Sequence, residues 1–320
     1  MPGGTERYYP HFANLYRCVP FYSNLHSTQK CMAEVLKFSD FKEFILFNES
    51  FIEQNPMLYY YLNVTIDRII QHKVGMFEFF NITNDSGHHL VWLKTVDDCL
   101  LFANAFDDEI VSLLTQEVEF KKFKRYAFAG TKPLIDALFK QNQATYTMSK
   151  HRIIYKCGEV SKLFKYSSGQ LQMGDLSRLD ELAKFSVSFA KDFDGKEEEF
   201  DHMKQIVFDG IMNKNFYQWN HGNNICAIAQ SMYGEYDFPV IGHVYTNPDF
   251  RKQGYAASIV HSLTKGLLNA GHDFCMLSAD ATNPASNGAF IKVGYKSTVS
   301  HWPTPYSRYD MKLGHLPYEK

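Results

Sequence analysis

The residues best placed to do chemistry run from Val240 to Ala256, in the order Val-Ile-Gly-His-Val-Tyr-Thr-Asn-Pro-Asp-Phe-Arg-Lys-Gln-Gly-Tyr-Ala. Residues 240–246 read as a strand, 247–250 as a short loop, and 255–270 as a helix closed by Gly271. Gly254 and Ala256 at the helix start are small enough to let backbone N–H groups approach a ligand. A helix start also leaves its first amides without intrahelical partners and carries the positive end of the dipole. That combination suits a pyrophosphate, and Arg251 and Lys252 add positive charge. Taken alone, R-x-x-G-x-A also fits an ordinary strand–helix turn. No G-x-x-x-x-G-K-[ST] and no G-x-G-x-x-G occurs, which argues against the two commonest nucleotide loops.

A second segment, Asn283-Pro-Ala-Ser-Asn287-Gly-Ala-Phe290-Ile-Lys-Val-Gly294-Tyr295, follows a strand at 274–279. Together the two segments resemble the GNAT superfamily of acyl-CoA N-acyltransferases. Arg251, Gly254 and Ala256 match its phosphate-loop motif, and Asn283, Gly294 and Tyr295 match its later Asn and x-G-[FY]. The run from Tyr245 to Tyr295 is similar to a group of two-domain predicted acetyltransferases, and more distantly to the glycine N-acyltransferase-like branch.

The resemblance implies a wedge between the strand before the loop and the strand after the helix, which holds pantetheine. It implies a pyrophosphate held by amides from Lys252 to Ala256, and a strand amide that polarises the thioester carbonyl. The cofactor-binding residues it implies are Tyr245, Thr246, Arg251, Lys252, Gln253, Gly254, Tyr255, Ala256, Asn283, Asn287 and Phe290. Asn283 before Pro284 equally suits a helix N-cap. The co-substrate is expected to be acetyl-CoA or another acyl-CoA, with no metal.

One position departs from the family. Many members place a tyrosine four residues before the glycine to protonate the leaving thiolate, and this chain has Phe290 there. A phenyl ring donates no proton. The thiolate then leaves unprotonated or by way of water, or a nearby tyrosine substitutes, or catalysis is weak. An ammonium acceptor must also lose a proton before it attacks. Candidates for that base are His243, Glu235, Asp237 and Tyr245, with His243 and Tyr245 taken as the catalytic pair. Strand alternation would put His243 on one face with Ile241 and Tyr245. His221 and Trp219 are expected to shape the acceptor pocket, and Cys275 to be a buried strand thiol.

The elements that must position these residues fill a chain of 320 residues, enough for two domains. Each half reads as helix, helix, three antiparallel strands, helix, strand, helix, strand. The expected fold is α+β: tandem GNAT-like units, each a mixed, mainly antiparallel twisted sheet flanked by helices. The central strand pair is expected to splay in the C-terminal unit. The expected boundaries are a tail at 1–30, a degenerate unit without cofactor loop at 31–158, and a catalytic unit at 159–320. In the first unit, residues 145–156 read as a final strand pair. Its counterpart of the phosphate loop, Asn104-Ala-Phe-Asp107-Asp108-Glu109, has no glycine and sets three carboxylates where phosphates would sit. That half is expected to bind no cofactor and to wall the acceptor pocket.

A net charge of -2 leaves no basic excess for nucleic acid, and the cluster Lys121-Lys122-Phe123-Lys124-Arg125 reads as a solvated face. Six scattered cysteines without C-x-x-C pairs suggest free thiols in a reducing, cytoplasmic setting. No stretch is apolar enough for a membrane span, and His88-His89 lack a partner at metal spacing. A monomer or a homodimer is expected. The function implied is acyl-CoA-dependent transfer to the amine of a small molecule or amino acid by direct attack on the thioester. The alternatives are a catalytically weak acyl-CoA-binding or regulatory module, and a protein or peptide N-acetyltransferase.

Overall fold

The computed structural model describes residues 32–57, 59–96, 98–118, 127–195, 197–233, 238–297 and 307–313. The tail at 1–30, the basic cluster at 121–125, and Glu235 and Asp237 lie outside the described residues.

The chain runs β1 (Glu34–Lys37), α1 (Phe41–Gln54), α2 (Tyr60–Ile70), β2 (Met76–Thr83), β3 (His89–Thr95), β4 (Asp98–Ala103), α3 (Asp108–Glu117), β5 (Ala127–Gly130), α4 (Lys132–Gln141) and β6 (Tyr146–Cys157). The order then repeats as β7 (Gln170–Met173), α5 (Leu179–Asp194), α6 (Phe200–Met212), β8 (Phe216–His221), β9 (Asn224–Tyr233), β10 (Pro239–Thr246), α7 (Tyr255–Asn269), β11 (Cys275–Asp280) and α8 (Pro284–Val293). The two-residue β12 (Lys296–Ser297) and β13 (Ser307–Leu313) close the second round. The architecture is therefore α+β, with two mainly antiparallel, mixed units flanked by helices.

Local sequence explains most of these elements. Asp40 caps α1 by accepting from the Glu43 N–H at 2.9 Å, and Ser39 donates its backbone N–H back to Glu43 Oε2. Asp107 caps α3 from the Ile110 N–H at 3.0 Å. Gly195 ends α5 in the left-handed region at φ 66°. On α7, Ile259, Val260 and Leu263 are buried against the sheet, as their spacing predicts.

The strand pair expected at 145–156 is instead the single twelve-residue strand β6. Its sequence, Tyr-Thr-Met-Ser-Lys-His-Arg-Ile-Ile-Tyr-Lys-Cys, has no Gly, Pro, Asn or Asp at which to turn. It also does not stay in its own half. The sheet order is β1-β2-β3-β4-β5-β13-β6-β11-β10-β9-β8-β7, with β12 beside β6. β6 lies antiparallel to β11 of the second round, while β13, the last strand of the second round, lies antiparallel to β5 of the first. β6 and β13 also pair with each other. Each half thus completes the other's sheet, and the two run on as one.

The sheet is covered on both faces. In the second half α7 and α8 pack on one face, through Ile259, Leu263, Phe290 and Val293. On the other face α5 and α6 pack through Leu182, Val207 and Ile211, around Phe216 and Tyr245. Across the junction, Met57, Tyr60 and Tyr61 from the first half pack on Ile154, Val240, Phe238 and Met276. The α2 end of the first half therefore stands on the strands that lead into the candidate site.

Candidate functional site

The site begins with an extra residue in β10. Gly242 pairs with Gln230 and Tyr245 with Ile228, so three steps along β10 match two along β9. His243 takes up the difference in the left-handed region at φ 54°. This bulge corrects the expected alternation. Ile241 packs with the α7 and α8 residues, whereas Tyr245 packs with α5 and α6. His243 turns to the α5 and α6 side, its ring stacked on Phe189 at 4.5 Å and edge-on to Phe216 at 5.6 Å.

Beyond the bulge the strands part. β10 and β11 are parallel neighbours, and among the described residues they pair at one register position, Val240 with Met276. A wedge therefore opens towards their C-terminal ends, with unpaired backbone edges on both sides. The mouth of the wedge leads into the loop. Asn247 caps a short turn at Pro248–Phe250, Lys252 adopts φ 62°, and Gly254 adopts φ 84° directly before α7. Glycine suits that last conformation because it has no Cβ to clash. The first loop-to-helix backbone bond is from the Ser258 N–H to the Gly254 carbonyl at 3.0 Å. Helix geometry leaves the amides of Tyr255, Ala256 and Ala257 without intrahelical acceptors, at the positive end of the dipole.

Several side chains named from the sequence brace this loop. Arg251 donates from Nη2 to Asp192 Oδ2 at 2.9 Å and from Nε to the Thr246 carbonyl at 3.2 Å, and its guanidinium lies over the Tyr245 ring at 5.4 Å. Tyr255 is buried, its hydroxyl 3.0 Å from His221 Nδ1. What the loop offers a ligand is therefore chiefly backbone. Gln253 contributes its carbonyl to a contact that the sequence did not suggest: Ser167 Oγ donates to it at 2.5 Å, and the Ser167 N–H donates to Ser258 Oγ at 2.9 Å. Ser167 belongs to the linker after β6. The same linker grips His261 in mid-helix, where Nε2 donates to the Ser161 carbonyl at 3.1 Å and Nδ1 accepts from the Tyr166 hydroxyl at 2.7 Å. No sequence motif marks this clasp, because its pairs lie far apart in the chain.

On the far side of the wedge, Asn283 caps α8 by accepting from the Ser286 N–H at 3.1 Å. Asn287 donates to the carbonyls of Asp280 and Asn283, both at 2.8 Å, and so ties α8 to the end of β11. Its Oδ1 accepts from the Tyr155 hydroxyl at 2.9 Å. Phe290 is buried, with the rings of Tyr155 and Tyr295 each 6.4 Å away. The Tyr295 hydroxyl is held by Thr264 in the core. The Tyr155 hydroxyl instead faces the start of α8, and Tyr155 arrives on the exchanged strand β6.

Electrostatics single out His243. Its Nε2 is buried without a hydrogen-bond partner, and burial pushes its pKa down to about 4. At neutral pH the ring is uncharged. A roof of aromatic rings extends from it along α5: Phe189 stacks on Phe193 at 5.0 Å, and the Arg152 guanidinium of β6 lies 3.7 Å over Phe193. Among the described residues no cluster of three His, Cys, Asp or Glu could hold a metal ion. None of their helices is long and apolar enough to cross a membrane.

Residues 222–302 match the family model described as FR47-like protein, which spans the wedge, the loop and α8. A GCN5-related N-acetyltransferase from Sphaerobacter thermophilus superposes with a TM-score of 0.53 at 11% identity, covering 73% of this chain and 79% of that one. The chain has the GNAT fold. A Drosophila protein superposes with a TM-score of 0.50 at 10% identity, covering 89% of this chain and 99% of that one. A GNAT-family acetyltransferase from Colwellia psychrerythraea reaches 16% identity and a TM-score of 0.47, covering 73% and 80% of the two chains. No curated protein matches. The fold is the one seen in the GCN5-related N-acetyltransferase from Sphaerobacter thermophilus.

Proposed function

We propose that this protein transfers an acyl group, acetyl by default, from coenzyme A to the amine of a small molecule or amino acid. The observation that carries the reading is the single register pair between β10 and β11 above a helix that starts on left-handed Gly254. Unpaired strand edges suit an extended pantetheine arm, and the amides from Lys252 to Ala256 suit its pyrophosphate. Tyr245 and Thr246 contribute backbone, Arg251 and Tyr255 hold the loop in shape, and Asn283 and Asn287 fix the opposite wall. We take 31–158 and 159–320 as the sequence limits of the two units, with their last strands traded.

The amine attacks the thioester carbonyl directly, forming the C–N bond as the C–S bond breaks. Neutral His243, on the bulge, is assigned to receive the amine's proton, and Tyr245 to shape the pocket beside it. We assign the proton for the leaving thiolate to Tyr155, whose hydroxyl faces α8 next to Phe290. The position of α2 against Val240 and Met276 favours a small acceptor over a protein chain, because the first half narrows that face.

Phe290 favours a second reading, an acyl-CoA-binding module with weak catalysis. Two measurements separate them. Acetyl-CoA at about a hundredfold over its dissociation constant should add roughly 2.7 kcal/mol of apparent stability in a thermal-shift assay. An amine panel scored by thiol release then reads turnover. Binding without release from any amine favours the module. No shift with any coenzyme A derivative rejects both readings. Tyr155→Phe should lower turnover on the order of a hundredfold with acetyl-CoA binding retained.

A further inference from the structure

Outside the wedge, one group of reactive side chains is brought together only by the strand exchange. Cys157 is the last residue of β6 and Cys275 the first of β11, and the two are direct register partners across the antiparallel pair. Both side chains point into the core under α7 and α8, 1% and 0% exposed. Both are free thiols. Directly opposed residues of an antiparallel pair have Cα atoms about 4.5–5.5 Å apart. A disulfide needs about 4.4–6.8 Å, so the backbone need not move. The other two described cysteines have no such partner: Cys99 faces Lys94 and Phe128 on its neighbouring strands, and Cys226 donates to the Asn224 carbonyl.

We propose that Cys157 and Cys275 form a redox-controlled cross-strand disulfide that staples the exchanged strand of the first half into the sheet of the second. The oxidant is a small disulfide such as oxidised glutathione. One thiolate attacks it, forming a mixed disulfide and releasing one thiol. The other cysteine then displaces the second thiol and closes the protein S–S bond. Two protein thiols lose two electrons and two protons, and the oxidant leaves as two thiols. The Cys157 S–H, which donates to the Glu159 carbonyl at 3.3 Å, gives up that weak bond when it turns towards Cys275. The pair sits where β6 gives way to the linker through Gly158, so fraying of one end register exposes it without unfolding the sheet. Burial pushes Cys275 up to about 12 and raises Cys157 as well. Less thiolate is therefore present at neutral pH, and the staple forms slowly. Because it closes a loop on the order of a hundred residues, it should stabilise the fold.

The test uses the full chain in neutral buffer with oxidised glutathione, followed by denaturation, alkylation and peptide mapping. The expected result is joint loss of alkylation at Cys157 and Cys275. A linked peptide lighter than its two halves by two hydrogens should appear, with a rise in melting temperature of about 5 °C that a reductant reverses. Cys157→Ser should remove the link and leave Cys275 alkylatable, whereas Cys226→Ser should leave the link intact. The wild-type map needs no variant to fold. Full alkylation of both cysteines after oxidation overturns the proposal. So does a glutathione adduct on Cys157 that never resolves, or a link from either residue to Cys18 or Cys31.

Discussion

In the first half, β4 and β5 pair at four successive positions, from Asp98 with Ala127 to Leu101 with Gly130. Their counterparts β10 and β11 in the second half pair at one. The elements around both pairs follow the same order, so the difference is local. At the closed pair, Gly130 adopts φ 141° and lies so near β4 that a Cβ would sit 1.9 Å from the Leu101 carbonyl oxygen. Thr131 seals the end, its N–H donating to that carbonyl at 2.8 Å while its hydroxyl accepts from the Ala103 N–H at 3.2 Å. At the open pair, the bulge at His243 swings β10 away. The helix starts differ in the same sense. α3 begins on Asp107, whose carboxylate already fills the anion position with its own charge, and α7 begins on Gly254, which brings none. One unit has spent its backbone donors on itself, and the other keeps them for a ligand.

The sharpest way to break this comparison is at Gly254. A Gly254→Glu side chain would be strained at φ 84° and would meet Ser167 Oγ at 2.9 Å, and its carboxylate would copy the arrangement at Asp107. Acetyl-CoA should then give no thermal shift, and turnover should fall by at least about a hundredfold, the loss expected when anion binding in a preorganised site is removed. A normal shift in this variant would mean that the α7 start is not the phosphate site. The mirror experiment is Gly130→Ala. Here the obstacle is backbone on a paired strand, so the closed pair must break. We expect a loss of at least about 3 kcal/mol in urea unfolding, or failure to fold.

Much of this contrast was legible in the sequence. The R-x-x-G-x-A segment, the carboxylates at Asp107, Asp108 and Glu109, and the repeated order of elements all depend on local patterns. The strand exchange did not show, because the pairing of β6 with β11 joins Tyr155 to Leu277 and leaves no local trace. The bulge did not show either. Val-Ile-Gly-His-Val-Tyr-Thr alternates well enough to read as a plain strand, and a histidine at positive φ is held there by its neighbours rather than by its own preference. The charge of Arg251 is legible in the sequence, but its contacts with Asp192 and Thr246 are not. The clasp on His261 leaves no local trace either, since Ser161 and Tyr166 meet it from about a hundred residues away.

A smaller effect compares two half-buried histidines, one in each half. His89 in the first half stacks on Phe51 at 4.2 Å, and its Nε2 lies 2.8 Å from Asn48 Oδ1. His243 stacks on Phe189, and its Nε2 has no partner. Burial pushes both down to about 4. Each folded-state value lies below the value of about 6.5 for an unfolded chain. The stability each contributes is therefore complete above pH 6.5 and is lost as pH falls towards 4, because the unfolded chain gains a proton that the folded chain refuses. The loss is up to about 3 kcal/mol for each ring. Urea midpoints between pH 7 and 4 should fall steadily, and His243→Phe should flatten part of that fall. With Nε2 unpaired, this variant should also be no less stable than the wild type at pH 7. His89→Phe should cost stability at pH 7, because it removes the ring nitrogen that lies 2.8 Å from Asn48 Oδ1 and 2.9 Å from Asn81 Nδ2. Equal behaviour of the two variants would erase the distinction between a satisfied and an unsatisfied ring.

The smallest expected change tests whether the first half is closed by its strands or merely by charge. Asp107 accepts from the Ile110 N–H, and its other oxygen takes Asn84 Nδ2 at 3.1 Å and faces His88 Nδ1 at 3.2 Å. Asp107→Ala removes the cap and should cost about 1 kcal/mol in urea unfolding. It also clears one carboxylate from the α3 start, where the dipole would welcome an anion. With β4 and β5 paired along four positions, no wedge is available for a pantetheine arm, so coenzyme A stoichiometry by calorimetry should stay at one per chain. Asp107→Ala combined with Asp108→Asn and Glu109→Gln should still leave it at one. A second coenzyme A bound to the triple variant would show that charge alone had silenced the first half. The strand pairing would then be a consequence of that silence rather than its cause.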